Sequence, residues 1–167
     1  KHKVPATFFV VGHFINENED LIKQMVKEGH NVGNHTFNHS QLTKLGFDEA
    51  IEEINTTNAW ITNISGYTPE YIRPPFGSFT DELLSETSMS VVMWNVDPLD
   101  WKYKNKDIVT DKILKNVKNG DIILMHDIFE SSVDAAQTVI KELKKQDYVF
   151  VTVDKMNSNK QIIRRDK

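Results

Sequence analysis

The sequence predicts an α/β domain built around a parallel sheet. Short runs of apolar, β-branched and aromatic residues alternate along the chain with segments whose apolar residues recur at helical spacing. With 167 residues, the chain has the length of one ordinary domain. This alternation is typical of a barrel or of a doubly wound sheet, and at this point both remain open. We expect the domain to span residues 1–154 and residues 155–167 to form a C-terminal tail.

The first half of the chain supplies the clearest buried strand. Residues 6–11 form a continuous apolar run closed by Gly12, which is typical of a strand covered on both faces. A helix is predicted over residues 18–27, because its apolar residues share one face and Gly29 can end it in a left-handed conformation. The elements predicted next are strand 31–33, helix 47–66 and strand 71–72.

The second half repeats the alternation. Residues 78–81 resemble a capping box that opens a short helix. Residues 90–96 are rich in β-branched residues and predict the clearest strand after the first. The remaining predicted elements are helix 107–117, strand 121–125, helix 132–144 and strand 148–151.

Composition and charge exclude several classes of protein. The chain is 39% hydrophobic and 26% charged, which separates it from disordered and collagen-like chains. Its net charge of -4 argues against nucleic acid as a partner. No stretch approaches the roughly 20 apolar residues of a membrane-spanning helix, so no transmembrane segment is predicted. The absence of cysteine excludes disulfides, thiolate metal sites and a cysteine nucleophile.

Polar side chains follow the predicted strands at the edge where α/β folds place their chemistry. His35 and His39 come directly after strand 31–33. Two histidines four residues apart can reach one metal ion, although surface or capping histidines are the alternative interpretation. A hydrolytic zinc site usually takes three protein ligands and keeps one position for water, and only two ligands are visible in this segment.

Three further segments follow the same rule. Arg73 precedes two prolines, which would hold its guanidinium rigidly at a strand end; a solvated arginine in a stiff loop is the alternative. Asp97 and Asp100 lie beside Trp101, so a carboxylate could orient a histidine next to an indole that stacks on a sugar. The alternative is an aspartate that caps a helix and a tryptophan that packs against the protein. His126 ends strand 121–125, a position suited to acid or base catalysis or to an ordinary loop histidine.

In this order, the four segments closely resemble motifs of the polysaccharide deacetylase family, also called the NodB homology domain or carbohydrate esterase family four. The resemblance covers nearly the whole chain. It implies a distorted (β/α) barrel that removes N- or O-acetyl groups from carbohydrate polymers with a divalent metal, most often zinc. The matching segments are His35-Thr36-x-x-His39-Ser40, Arg73-Pro74-Pro75-Phe76-Gly77, Asp97-x-x-Asp100-Trp101 and Leu124-x-His126-Asp127.

The resemblance also implies a role for eight residues. By that resemblance, the metal ligands are His35 and His39. The residue that orients the catalytic base is Arg73, and the oxyanion donor is the backbone N–H of Phe76. The general acid is His126, which is held by Asp100, and the pocket for the acetyl methyl is formed by Trp101 and Leu124.

The family's first motif, a Thr-Phe-Asp-Asp-Gly stretch on the first strand, does not occur in this sequence. Its two aspartates are the family's general base and third metal ligand. We expect this motif upstream of Lys1, so that the first barrel strand is missing from this chain and comes from a preceding or separate segment. A truncated, inactive relative is the competing explanation.

The function expected from the resemblance is metal-dependent removal of N-acetyl groups from an N-acetylglucosamine-containing polysaccharide, peptidoglycan or chitin-like, with release of acetate. Such a polymer implies an extracellular or cell-wall location. One alternative is a catalytically incomplete, carbohydrate-binding domain in which exposed aromatic residues stack on sugars; the candidates are Phe37, Phe79, Trp101 and Tyr103. The other is an unrelated metal hydrolase, such as a phosphoesterase, that uses the same histidines.

Overall fold

The computed structural model describes residues 2–156 and 163–164. The chain divides into two compact units. The sheet unit comprises Pro5–Met93 together with the described residues from Val151 onward, and the helical unit comprises Trp94–Phe150 with the residues up to Val4. Among the described residues, no helix combines the length and the apolar character that crossing a membrane would require.

The sheet unit contains one five-stranded sheet in the order β1-β2-β3-β4-β5. Its strands are β1 (Thr7–Val10), β2 (Asn31–Asn34), β3 (Tyr71–Ile72), β4 (Ser90–Val92) and β5 (Ile163–Arg164). The first four strands are parallel, and β5 pairs antiparallel to β4. Because β1 to β4 run in one direction, the segments that follow them leave the sheet at the same edge.

Three helices complete the sheet unit: α1 (Glu19–Lys27), α2 (Phe47–Ser65) and α3 (Asp81–Thr87). Helix α2 ends at Gly66, whose φ of 68° is the left-handed conformation that favours glycine. Helix α3 begins at Asp81, and the Thr80 side chain caps it by accepting the Leu83 N–H. The apolar faces of the helices and strands form two buried clusters, one around Ile54 and Ile72 and the other around Val32 and Ile61.

The helical unit contains α4 (Asp100–Tyr103), α5 (Lys106–Asn116) and α6 (Glu130–Lys145). Its buried cluster consists of Val96, Val109, Ile113, Ala135, Val139 and Leu143. Val96 and Ile123 form a single parallel bridge. This bridge places the segment that carries Asp100 beside the segment that carries His126.

The second half of the chain has shorter strands than the sequence predicts. The predicted strand 90–96 ends at Val92, and the predicted strand 121–125 is reduced to the bridge at Ile123. Residues 148–151 form no strand in the part of the chain that the structure describes, so that prediction is wrong. Their apolar run has another cause: Tyr148 and Phe150 pack against the cluster of the helical unit, whereas Val149 is 83% exposed.

Part of the predicted tail is described by the structure. Lys155 ends a short 3₁₀ turn, Met156 follows it, and Ile163–Arg164 form β5. The other tail residues, 157–162 and 165–167, lie outside the described residues.

Candidate active site

The two predicted metal ligands lie in a turn that follows β2. The ring centroids of His35 and His39 are 4.8 Å apart. Thr36 and His39 have φ values of 63° and 58°, so the backbone turns through the left-handed region twice within this segment. The Nδ1–H of His35 donates to the carbonyl of Arg73. This bond assigns the basic lone pair of the ring to Nε2, the arrangement that a metal-binding histidine uses.

Buried polar side chains hold the histidine turn in place. Asn34, which is fully buried, accepts the Thr36 N–H at 2.8 Å and donates to the carbonyl of Ile54 at 2.8 Å. Glu53 on α2 is 8% exposed and accepts both the backbone N–H and the Nδ2 of Asn38, at 2.8 and 2.6 Å. The hydrogen bonds of Asn34 with the Thr36 N–H and of Glu53 with the Asn38 N–H therefore fix the conformation of the turn.

Arg73 lies at the end of β3 and is 8% exposed. Its Nε donates to the carbonyl of Val92 at 3.1 Å, and its guanidinium carbon lies 4.4 Å from the ring centroid of Phe9. Burial lowers the pKa of Arg73 to about 10. The group is still charged at neutral pH, so the sheet unit carries a buried cation next to the histidine turn.

Phe76 lies in the short turn Pro75–Gly77 and is 70% exposed. Its φ of 60° places a bulky residue in the left-handed region, where a side chain is disfavoured. The rings of Phe76 and His39 are 5.3 Å apart in an edge-on arrangement. The strained turn thus brings the ring of Phe76, whose backbone N–H is the predicted oxyanion donor, against the second histidine. Strain of this kind is concentrated at functional sites.

Asp100 and His126 form a dyad in the helical unit. Asp100 is fully buried, and its two carboxylate oxygens accept the Nδ1–H of His126 at 2.8 Å and the His126 backbone N–H at 2.7 Å. Burial raises the pKa of Asp100, but the hydrogen bonds from the His126 side chain and backbone, together with the Ser132 side chain and the attraction of a charged His126, outweigh it, so the net pKa is lowered. The carboxylate is charged at neutral pH and favours an imidazolium at His126.

The two predicted pocket residues belong to the same unit as the dyad. Trp101 follows Asp100 directly and is 50% exposed. Leu124 is 8% exposed, and its N–H donates to the carbonyl of Val96 at 2.9 Å. The structure therefore gathers the eight predicted residues into two groups of four, one in each unit.

Comparison with known proteins identifies the family. The family model for polysaccharide deacetylase matches residues 1–90. The chain belongs to the polysaccharide deacetylase family.

Two curated polysaccharide deacetylases are close relatives in sequence. The peptidoglycan-N-acetylmuramic acid deacetylase PdaC of Bacillus subtilis is 44% identical over 160 residues, covering 96% of this chain and 34% of the relative. The peptidoglycan-N-acetylglucosamine deacetylase PgdA of Listeria monocytogenes is 39% identical, with the same coverage of 96% and 34%. The chain thus spans about a third of the length of these relatives.

Solved structures of polysaccharide deacetylases share the fold. The structure of PdaC from Bacillus subtilis matches with a TM-score of 0.90 and 44% identity, over 92% of this chain and 76% of that one. A pseudoenzyme of carbohydrate esterase family four from Bacillus anthracis matches with a TM-score of 0.85 and 32% identity, over 93% of this chain and 56% of that one. The predicted α/β fold of the polysaccharide deacetylase type is confirmed.

Polysaccharide deacetylases are generally metal-dependent, and the residues of this chain fit part of a metal site. The paired rings of His35 and His39, with the second nitrogen of His35 bonded to a carbonyl, suit two ligands of a zinc-type centre. Within the described residues, no group of three histidine, aspartate or glutamate side chains could hold a metal ion. The fit therefore extends to two ligands.

Sequence reasoning missed the residues that support the histidine turn. Asn34 and Glu53 carry no family motif, and neither was predicted as functional. A signal for Glu53 does exist: it lies on the buried face of α2 with Ala50, Ile54 and Thr57, and a charged residue at such a position is buried only when it is paired.

Proposed function

We propose that this chain is the deacetylase domain of an enzyme that removes N-acetyl groups from N-acetylglucosamine-containing polysaccharide, peptidoglycan or chitin-like, and releases acetate. The observation that carries the proposal is the dyad of Asp100 and His126. A fully buried carboxylate that accepts two hydrogen bonds from one histidine serves proton transfer, and sugar binding alone does not require it. The names of the relatives PdaC and PgdA support peptidoglycan as the polymer.

His35 and His39 are proposed to hold a divalent metal, with zinc as the expected ion. When bound, such an ion supplies Lewis-acid polarisation of the acetyl carbonyl and lowers the pKa of a bound water. The hydrogen bond from His35 to the Arg73 carbonyl supports the assignment, because it orients the ring and fixes its tautomer.

The remaining roles follow from the chemistry of amide hydrolysis. A water oxygen bonds to the acetyl carbon, the carbonyl oxygen becomes an oxyanion, and the C–N bond then breaks. The backbone N–H of Phe76 is proposed to stabilise the oxyanion. His126 is proposed to give the departing nitrogen its proton, with Asp100 stabilising the imidazolium beforehand. Trp101 and Leu124 are proposed to contact the acetyl methyl.

Arg73 is proposed to position the base that activates the water. In the family this base is an aspartate of the first motif, which is not among the residues of this sequence. A buried guanidinium fork can hold such a carboxylate bidentately. The proposal therefore includes a first-motif strand, supplied by a preceding or separate segment.

The competing function is that of a catalytically incomplete deacetylase-like domain that binds carbohydrate without turnover. The Bacillus anthracis relative described as a pseudoenzyme favours this candidate. The location proposed with either function is extracellular or at the cell wall, because the polymer is found there.

Acetate release separates the two functions. The chain is compared with a form in which a Thr-Phe-Asp-Asp-Gly strand precedes Lys1, each assayed for bound zinc and for acetate from an N-acetylglucosamine oligomer. We expect stoichiometric zinc and acetate only from the form with the added strand. Binding of the oligomer without acetate from either form would support the carbohydrate-binding function instead.

A further inference from the structure

The Asp100 carboxylate has room for more hydrogen bonds than the two that His126 donates. An ionised carboxylate can accept about four hydrogen bonds, and His126 uses one site on each oxygen. Because Asp100 is fully buried, bulk water does not supply the remaining donors. A buried charge is stable only when polar groups of the protein replace its hydration, so any further donor beside Asp100 contributes to keeping it charged.

Ser132 lies in the first turn of α6 and is 1% exposed. Helix α6 packs against α4, the helix that begins at Asp100. The Ser132 side chain lowers the pKa of Asp100 through a hydrogen bond. Its Oγ has no partner among the described residues at the distance and angle of a well-formed hydrogen bond. The hydroxyl therefore lies within reach of the carboxylate, in a bond that is long or poorly aligned.

Hydroxyls on the helices of this chain usually bond back to their own helix. Thr57 and Thr138 each donate to the carbonyl four residues earlier, at 2.9 and 3.0 Å. In the part of the chain that the structure describes, Ser132 makes no such bond. Thr110 on α5 shares that feature, but it is not among the groups that shift the pKa of Asp100. Ser132 thus combines an uncommitted hydroxyl with an effect on the buried carboxylate.

The charged residues that adjoin the dyad in sequence are exposed to water. They are Asp97, Lys102, Asp127 and Glu130. Water and salt screen the field of exposed charges. Donors inside the protein therefore act more strongly on the carboxylate than these charges do.

We propose that Ser132 is a positioning residue of the dyad: its hydroxyl donates a third hydrogen bond to the Asp100 carboxylate and so fixes the orientation in which that carboxylate holds His126. The proposal rests on the proposed function and adds to it a residue outside the four motifs. Because Ser132 is buried, it acts through Asp100 and does not contact the substrate.

A double-mutant cycle tests whether Ser132 acts through the carboxylate. Ser132→Ala is made in the unmodified chain and in Asp100→Asn, and unfolding by denaturant is measured near neutral pH. We expect Ser132→Ala to raise the unfolding equilibrium constant about tenfold in the unmodified chain, the low end of the range for a hydrogen bond to a charged group. In Asp100→Asn the factor should be clearly smaller, because the charged acceptor is gone.

Thr110→Val is the matched control. It removes a second helical hydroxyl that has no partner among the described residues, and it keeps the shape of the side chain. Thr110→Val should change the unfolding equilibrium constant by the same factor in both backgrounds.

Turnover provides a second measurement, in the form that carries the first motif. Ser132→Ala should lower kcat for acetate release by roughly 2- to 10-fold, the factor that corresponds to one ordinary hydrogen bond. The KM should be unchanged, because Ser132 does not contact the substrate. Ser132→Thr keeps a hydroxyl and should restore most of kcat.

An equal factor for Ser132→Ala in the two backgrounds would overturn the proposal, because it would mean that the hydroxyl stabilises packing alone. A Ser132→Thr variant that unfolds like the unmodified chain but has the low kcat of Ser132→Ala would also overturn it. The cycle requires no turnover, so coupling between Ser132 and Asp100 in a form that releases no acetate would support the positioning bond and refute the proposed activity. Acetate release without coupling would refute the positioning role and leave the deacetylase function in place.

Discussion

Replacing Asp100 by asparagine tests the dyad directly. The two carboxylate oxygens each accept one hydrogen bond from His126, and the side chain is fully buried. Asparagine keeps one acceptor oxygen and turns an NH2 group towards the other donor. One charge-assisted hydrogen bond is removed, and a buried donor is left without an acceptor.

The expected decrease in unfolding free energy is about 1.5–3 kcal/mol, the range for a hydrogen bond to a charged group. For a chain of this length that corresponds to a fall in Tm of roughly 3–12 °C. The decrease should depend on pH with a defined sign. Because the pKa of Asp100 is lowered in the folded state, its contribution is present above the ordinary aspartate pKa and disappears as the pH falls through the folded value. The Tm difference between the two proteins should therefore shrink in acid.

Turnover in the form that carries the first motif should fall by roughly 10²- to 10⁴-fold, the usual contribution of general acid catalysis. Bound zinc should stay unchanged, since Asp100 is not one of the proposed ligands. Asp134→Asn, an exposed substitution on α6 with the same change of charge, is the control. If Asp100→Asn alters Tm and acetate release no more than this control does, the assignment of the dyad is wrong.

Four other substitutions, with Gly46→Ala as a control, test the histidine turn and its surroundings. His35→Ala or His39→Ala should abolish zinc retention by the form with the first motif; zinc that survives loss of both would refute the metal assignment. Glu53→Gln keeps only one of two acceptors for the turn, so it should lower the unfolding free energy by about 1–3 kcal/mol and weaken zinc binding in a competition titration with a chelator. Gly12→Ala should destabilise by about 1–3 kcal/mol, because an added Cβ would overlap the ring of Phe37; Gly46→Ala, with nothing within 4 Å, should leave the Tm nearly unchanged.

Much of the fold could be predicted from local sequence. The strand beginning at Thr7 and the helix ending before Gly66 are specified by apolar runs and a glycine stop, which act over a few residues. The segment 148–151 shows the limit of that reasoning. Its run of aromatic and β-branched residues suits a strand, but such a run reports only that side chains are apolar, and here Tyr148 and Phe150 pack on helices. Whether a strand forms depends on a partner that the local pattern does not name.

In the candidate site, too, some residues could be predicted from the sequence and others could not. The residues proposed to carry the chemistry, such as His35 and His126, stand in recognisable motifs at the ends of predicted strands. The residues that orient them do not, because their partners are backbone groups or amides distant in sequence: Asn34 bonds to Ile54, and Glu53 bonds to Asn38. Hydrogen bonds of this kind arise only when the chain has folded, and a single sequence does not record them.

The buried charges support the proposed catalysis over simple sugar binding. Arg73 is 8% exposed and Asp100 is fully buried. Removing a charged group from water opposes folding, and apolar residues of similar volume are often as stabilising or more so. Sugar-binding surfaces use exposed aromatic residues and place no such demand on the interior. The ionised guanidinium in one unit and the carboxylate in the other each lie within a motif and beside a histidine or its turn. Their burial has a stability cost that the proposed proton transfer would explain and that sugar binding would not require.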